Sequence, residues 1–199
     1  MGRRRAFDAD EVLDVALSVF WKKGFDGTSY ADLVEATGVE RPSLYAAFGN
    51  KEALFRRVLD RYYDHYMDYF PKALAAPTAR EVAVAILRGS IELNTRFPDH
   101  PGCLNLNGAL VGADDSACLR RIQVEARDAG EAEIRARFAR AKAEGDLPPD
   151  ADPAVLAAFI TALIHGFAVQ AKVGVGRETL EAAAEQAMAG WPKGSGAAP

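Results

Sequence analysis

The sequence predicts an all-α chain of about nine helices, and three observations carry that expectation. Strand-like alternation and hairpin dipeptides are hard to find along the chain. Helix starts are marked by a short polar residue with an acidic one three positions later: Asp8 with Glu11, Ser29 with Asp32, and Thr78 with Glu81. In that spacing the two side chains satisfy backbone N–H groups that the first turn leaves unpaired. Gly24, Gly38, Gly145 and Gly174 fall where the helical patterns end, as C-terminal capping requires.

Taken in order, the expected helices are 8–24, 29–37, 41–48, 51–75, 79–97, 101–112, 116–144, 153–173 and 177–191. The first repeats Val12, Val15, Ala16, Val19 and Phe20 on one face, the mark of a stripe turned to a core. The next two are short and separated by "TGV", with Leu33, Val34 and Leu44 as apolar anchors; a glycine turn between short helices is the helix-turn-helix pattern. The helix 51–75 is aromatic, and Tyr62, Tyr66 and Tyr69 share a face of it. The helix 101–112 opens on "DHPGC", with Asp99 as N-cap and Cys103 in the first turn, where the helix dipole favours a thiolate. Asp152 before Pro153 is an N-cap with proline at the first helical position. The apolar run Pro153 to Ala171 approaches a membrane span in length, but Thr161, His165, Gly166 and Gln170 interrupt it and acidic residues precede it. It is expected inside a bundle or at a subunit interface, not in a membrane. Residues 193–199 read as a disordered tail.

Composition bounds the function. Of 199 residues 49% are hydrophobic, enough for a sizeable core. Two cysteines, Cys103 and Cys118, fit a reducing cytoplasm better than a secreted disulfide scaffold. A basic start, "MGRRRAFDADE", has no apolar run after it, so no signal peptide is expected. His65, His100 and His165 lack ligand-like spacing, and no Walker loop, dinucleotide fingerprint or nucleophile elbow occurs. Neither a metal, a cofactor nor a conventional enzyme is expected. The net charge is −4, so any contact with nucleic acid must rest on locally placed charge.

The stretch "VLDVALSVFWKKGFDGTSYADLVEATGVERPSLYAAFGNKEALF" resembles the DNA-binding domain of the TetR/AcrR family of bacterial transcriptional regulators. "PGCLNLNGAL" and "AEGDLPPDADP" resemble one of its C-terminal subgroups. The resemblance implies a TetR-like layout. A three-helix DNA-binding domain spans 6–66 with its helix-turn-helix near 29–48, and a divergent ligand-binding and dimerisation domain spans 67–192. It also implies a homodimer that binds a palindromic double-stranded operator, usually represses, and lets go when a small-molecule inducer enters the C-terminal domain. A helical binding protein or cryptic enzyme that no longer reads DNA is the alternative, kept open by Glu40 and by the nine Lys/Arg against ten Asp/Glu in residues 1–60.

The same resemblance assigns residues. The segment 41–48 becomes a recognition helix whose first turns enter the major groove. Arg41 suits guanine or phosphate, Pro42 stiffens the turn, and Ser43 donates a hydrogen bond. Tyr45 reaches a phosphate, and Ala46 meets a thymine methyl. Glu40, where relatives carry serine or threonine, would repel phosphate or accept from a cytosine amino group. Thr28, Ser29 and Lys51 are placed for phosphates, and Arg3, Arg4 and Arg5 form a basic arm. For the inducer, polar residues within apolar helices are the candidates: Asn94, Asn105, Asn107, Thr161, His165 and Gln170, with Tyr62, Tyr66 and Cys103. Some relatives sense electrophiles through a cysteine in a similar "GC" segment. Phe159, Leu163 and Gly166, with Leu180, Ala184, Ala187 and Trp191, are the expected dimer seam.

Overall fold

The computed structural model describes residues 7–109 and 117–192, with all side chains there except those of 107–109, 117–120 and 123. Every regular element among the described residues is a helix, and there are ten. The arm Arg3, Arg4 and Arg5 and the tail 193–199 lie outside them.

Helix α1 (Ala9–Lys23) starts where the Asp8 carboxylate accepts the Asp10 N–H at 2.8 Å and the Glu11 N–H. Its buried face is Val12, Leu13, Ala16, Leu17, Phe20 and Trp21. Val15 and Val19, expected on that face, sit half-buried at its edge because Leu13, Leu17 and Trp21 turn it by one position. Helix α2 (Tyr30–Thr37) carries the capping box of Ser29 and Asp32, and Asp32 also pairs with Lys23 of α1 at 2.6 Å. Gly38 ends α2 at φ 67°, a left-handed conformation that side chains disfavour. Helix α3 (Arg41–Phe48) then drops Leu44 and Phe48 into the core.

Helix α4 (Lys51–Tyr66) is capped by Asn50, which accepts the Ala53 N–H at 2.8 Å. It is clasped to α1 by the fork of Arg61 on Asp14, whose outer bond measures 2.6 Å. The expected single helix 51–75 is two: α4 stops at Tyr66, and α5 (Tyr69–Leu74) follows. Pro71 explains the break. In an unbroken helix it would offer no N–H to the Met67 carbonyl and its ring would clash there. Restarting at Tyr69 puts Pro71 in a first turn, where no such bond is needed.

Helix α6 (Ala79–Thr95) begins with the Thr78–Glu81 capping box. Helices α7 (Leu104–Ala109), α8 (Ala117–Ala143), α9 (Pro153–Lys172) and α10 (Arg177–Ala189) complete the chain. The α5–α6 turn is pinned to α8 by Arg137. That buried guanidinium donates to the carbonyls of Leu74 at 3.1 Å and of Ala76 and Pro77 at 2.8 Å each. Two buried clusters result. One joins α1 to α4 and also takes Leu93 and Leu104 from α6 and α7. The other joins α5, α6, α8, α9 and α10 around Ile86, Phe138 and Ile160.

Candidate functional site

The helix-turn-helix presents one outward surface. On α3, Arg41, Pro42, Tyr45 and Ala46 are exposed and Ser43 is half-buried, while Leu44 and Phe48 anchor the other side. Tyr45 is a large aromatic left 47% exposed on this surface. Tyr30, which sequence reasoning passed over, supports it. The Tyr30 and Tyr45 rings stack with centroids 5.5 Å apart, and the Arg41 guanidinium lies 4.4 Å over the Tyr30 ring. A planar cation on an aromatic face keeps its N–H edge free and loses rotamer freedom before any ligand arrives. Glu40 is the N-cap of α3 but makes no capping hydrogen bond.

Two of the expected phosphate contacts are otherwise engaged. Thr28 is fully buried, and its hydroxyl donates to the Gly24 carbonyl at 2.7 Å. It closes the α1–α2 turn and is not an outward donor. The Lys51 ammonium donates to the Phe25 and Thr28 carbonyls, each at 2.9 Å, and sits 4.2 Å over the Phe25 ring. Partial burial pulls its pKa down. Ser29 remains exposed, with its hydroxyl on Asp32 at 2.8 Å.

A second site lies in the C-terminal bundle. A cavity of about 680 Å³ opens between α4, α5, α6, α8 and α9, with Cys103 and Asn105 on its wall. Of the expected ligand residues, Tyr62, Asn94, Cys103, Asn105, Thr161 and His165 line it. Tyr66 does not: at the end of α4 it turns to Trp21 and Phe97, with centroids 5.2 and 5.7 Å away. Gln170 is exposed on α9. Asn107 belongs to α7 by its backbone, but its side chain lies outside the described residues.

Helix α7 begins at Leu104, so Cys103 precedes the first turn and Asp99 is no cap for it. Gly102, at φ 87°, bends the chain there instead. The Cys103 Sγ lies 3.4 Å from the Tyr62 hydroxyl. Burial holds the Tyr62 and Tyr69 phenols well above their ordinary pKa, so both are neutral. Burial also lowers the pKa of His165, with Arg127 adding to it. Tyr69 reaches the cavity because Gly89 leaves room: a Cβ on Gly89 would come within 2.1 Å of the Tyr69 ring. Three polar atoms in this region are buried without a hydrogen-bond partner: Asn94 Oδ1, Asn105 Oδ1 and Thr161 Oγ1. Each such atom costs about 1–3 kcal/mol while unpaired.

Helix α1 and the cavity wall meet at Gly102. Its N–H donates to the Asn94 carbonyl at 2.9 Å, and its carbonyl accepts the indole N–H of Trp21 in α1 at 2.6 Å. Trp21 also packs against His100 and Tyr62, with centroids 4.8 and 4.9 Å away.

Comparison with known proteins decides the family. Residues 12–58 match the model of bacterial regulatory proteins of the tetR family, and residues 111–190 match the C-terminal model of BetI-type transcriptional repressors. The HTH-type transcriptional repressor ComR of Escherichia coli K12 is 34% identical over 194 residues, 96% of this chain and 92% of that one. The chain belongs to the TetR family of bacterial transcriptional regulators. Among solved TetR-family structures, a cysteine-substituted CifR in complex with 26-bp double-strand operator DNA is 41% identical, with a TM-score of 0.89 over 96% of this chain and all of that one. A second E. coli repressor, BdcR, is 35% identical over 51% of each chain.

Part of the expected dimer seam is covered within the protomer. Leu180, Ala184 and Trp191 are buried in the chain's own core, and Ala187 is half-buried. On α10 the opposite face, Ala182, Ala183 and Gln186, is the exposed one. On α9, Phe159 and Gly166 are exposed and Leu163 is half-buried. They adjoin an apolar stripe of Val155, Ala158, Ala162 and Val169, with Val155 65% and Phe159 40% exposed. Helix α9 is long and apolar enough to span a bilayer, and its other face, Ala157, Ile160, Phe167, Ala168 and Ala171, is buried in the chain's own core.

Proposed function

We propose that this regulator is a cytoplasmic homodimeric repressor that holds a palindromic operator through α3 and lets go when a small molecule fills the bundle cavity. The observation that carries the reading is the Arg41 guanidinium fixed over Tyr30 on the exposed end of α3. A positioned guanidinium suits the bidentate edge of guanine, and Tyr45 beside it suits a phosphate. Because residues 1–60 carry no excess of positive charge, affinity rests on these few contacts doubled by the dimer.

Release runs through the Gly102 junction. A ligand that touches Asn94 and Cys103 moves the peptide between them, and that peptide is hydrogen-bonded to Trp21 of α1. The work is binding and switching, with no reaction called for.

The test is fluorescence anisotropy on the DNA upstream of the regulator's own gene, at two salt concentrations. Arg41→Ala should weaken binding by about 1–3 kcal/mol and relax sequence preference, with the melting temperature unchanged. Parental affinity in Arg41→Ala would place the reading surface elsewhere.

A further inference from the structure

The cavity's unpaired atoms define what it takes. Asn94 and Thr161 are 2% and 6% exposed, on α6 and α9, and Asn105 stands on α7. The Asn94 amide donates its N–H to Ser90 Oγ at 3.1 Å, which leaves its carbonyl oxygen as the unpaired atom of this cavity-lining side chain. The Tyr62 hydroxyl is already partnered by Cys103. Two amide oxygens and one hydroxyl are therefore left without a partner, and the two amide oxygens can only accept. Of the charged side chains on the wall, Asp64, Asp68, Arg127 and Glu133 are exposed and Glu131 is half-buried. The rest of the lining is aromatic and aliphatic, as in Tyr69, Phe70 and Ile164.

We propose that the cavity takes a neutral, mainly apolar ring compound carrying at least two hydrogen-bond donors, hydroxyl or N–H, which pair with Asn94 Oδ1, Asn105 Oδ1 and Thr161 Oγ1. This deepens the inducer reading above and rests on it for the consequence of binding. A buried carboxylate would face acceptors, and a buried ammonium would find no counter-charge at depth. A neutral donor satisfies the orphaned atoms and leaves its apolar body against the rings.

The probes are hexylresorcinol, its dimethyl ether, hexylbenzoate and hexylbenzylammonium. Calorimetry and thermal shift on the full-length dimer should show hexylresorcinol binding about tenfold or more tighter than the ether, with the two ions binding more weakly still. Thr161→Val, which keeps the side-chain shape, should narrow the gap between resorcinol and ether while the protein stays folded. Asn94→Leu should narrow it further. Equal or tighter binding of the ether or of either ion overturns the proposal, as does failure of all four to bind. Operator release is read separately by anisotropy. A resorcinol that binds preferentially yet leaves the operator bound supports this ligand class and sinks the inducer reading.

Discussion

Gly89 is the residue whose role runs against its local preference. Alanine is favoured over glycine inside a helix by about 1 kcal/mol, so Gly89→Ala on a bare α6 would stabilise. Here the added methyl would meet the Tyr69 ring at 2.1–2.8 Å. The expected outcome is a lower melting temperature and a ring pushed into the cavity, seen as weaker binding of any cavity ligand. A variant that melts higher than the parent would show that Tyr69 moves aside without loss. His165 and His100 set a second expectation at this scale. Desolvation is the largest influence and lowers both pKa values below the ordinary 6.5, aided by Arg127 for His165 and by Lys172 and Lys22 for His100. Glu131 and Asp99 oppose the shifts. The folded state thus binds fewer protons than the unfolded one in this range, so the stability is complete above about pH 6.5 and is lost as pH falls through it. Asp14, Asp32 and Asp68 are held below their usual range by Arg61, Lys23 and Lys72, so they stay charged over the same window. Melting temperature should fall between pH 7.5 and 5.5, and His165→Gln with His100→Gln should flatten most of that slope.

At the scale of elements, the joint between α1 and the start of α7 decides whether cavity and helix-turn-helix move together. Trp21 is fully buried and its indole donates across 81 positions of chain to Gly102. Trp21→Phe keeps an aromatic ring and removes that donor, leaving a buried carbonyl short of a partner at a cost of about 1–3 kcal/mol. The variant should still bind operator, and its release by a cavity ligand should be blunted. Release at parental ligand concentration would move the coupling to another path. The α4–α5 break belongs to the same scale. It separates Tyr66, which joins the Trp21 cluster, from Tyr69, which faces the cavity.

For the whole molecule, the uncovered feature is the apolar stripe on α9. Ala158 and Ala162 lie on it one turn apart and are exposed, so glutamate at both leaves the chain's own core untouched. In a dimer the same charges would be desolvated at the seam. Ala158→Glu with Ala162→Glu should sediment as a folded monomer with parental helix content and lose operator affinity. Glutamate at Ala184 would not report on the seam, because that residue is 6% exposed inside the protomer. A double variant that remains a dimer would assign the seam to another face.

The sequence by itself determined the helical class, most helix starts and the helix-turn-helix. The caps at Asp8, Ser29, Thr78 and Asp152 and the turn at Gly38 are local, each set by residues within three or four positions. Family membership was legible for the same reason: the motif from the first helix to "NKEALF" is contiguous. Which face each helix buries was less legible. Successive residues differ by about 100° around a helix, so alanine-rich stripes such as that of α10 fit two faces nearly equally, and only packing on α6 selected Leu180 and Ala184 for the core. The split at Pro71 was readable in principle from the proline alone. The cavity was half legible: buried polar residues were recognised one by one, but their convergence was not. Asn94, Asn105 and Thr161 come from three helices, and the support of Arg41 by Tyr30 and the bond from Trp21 to Gly102 join separate elements. Tertiary structure alone decided these, because such contacts depend on how helices cross, and helix crossing is set by packing of the whole core rather than by any local run of residues.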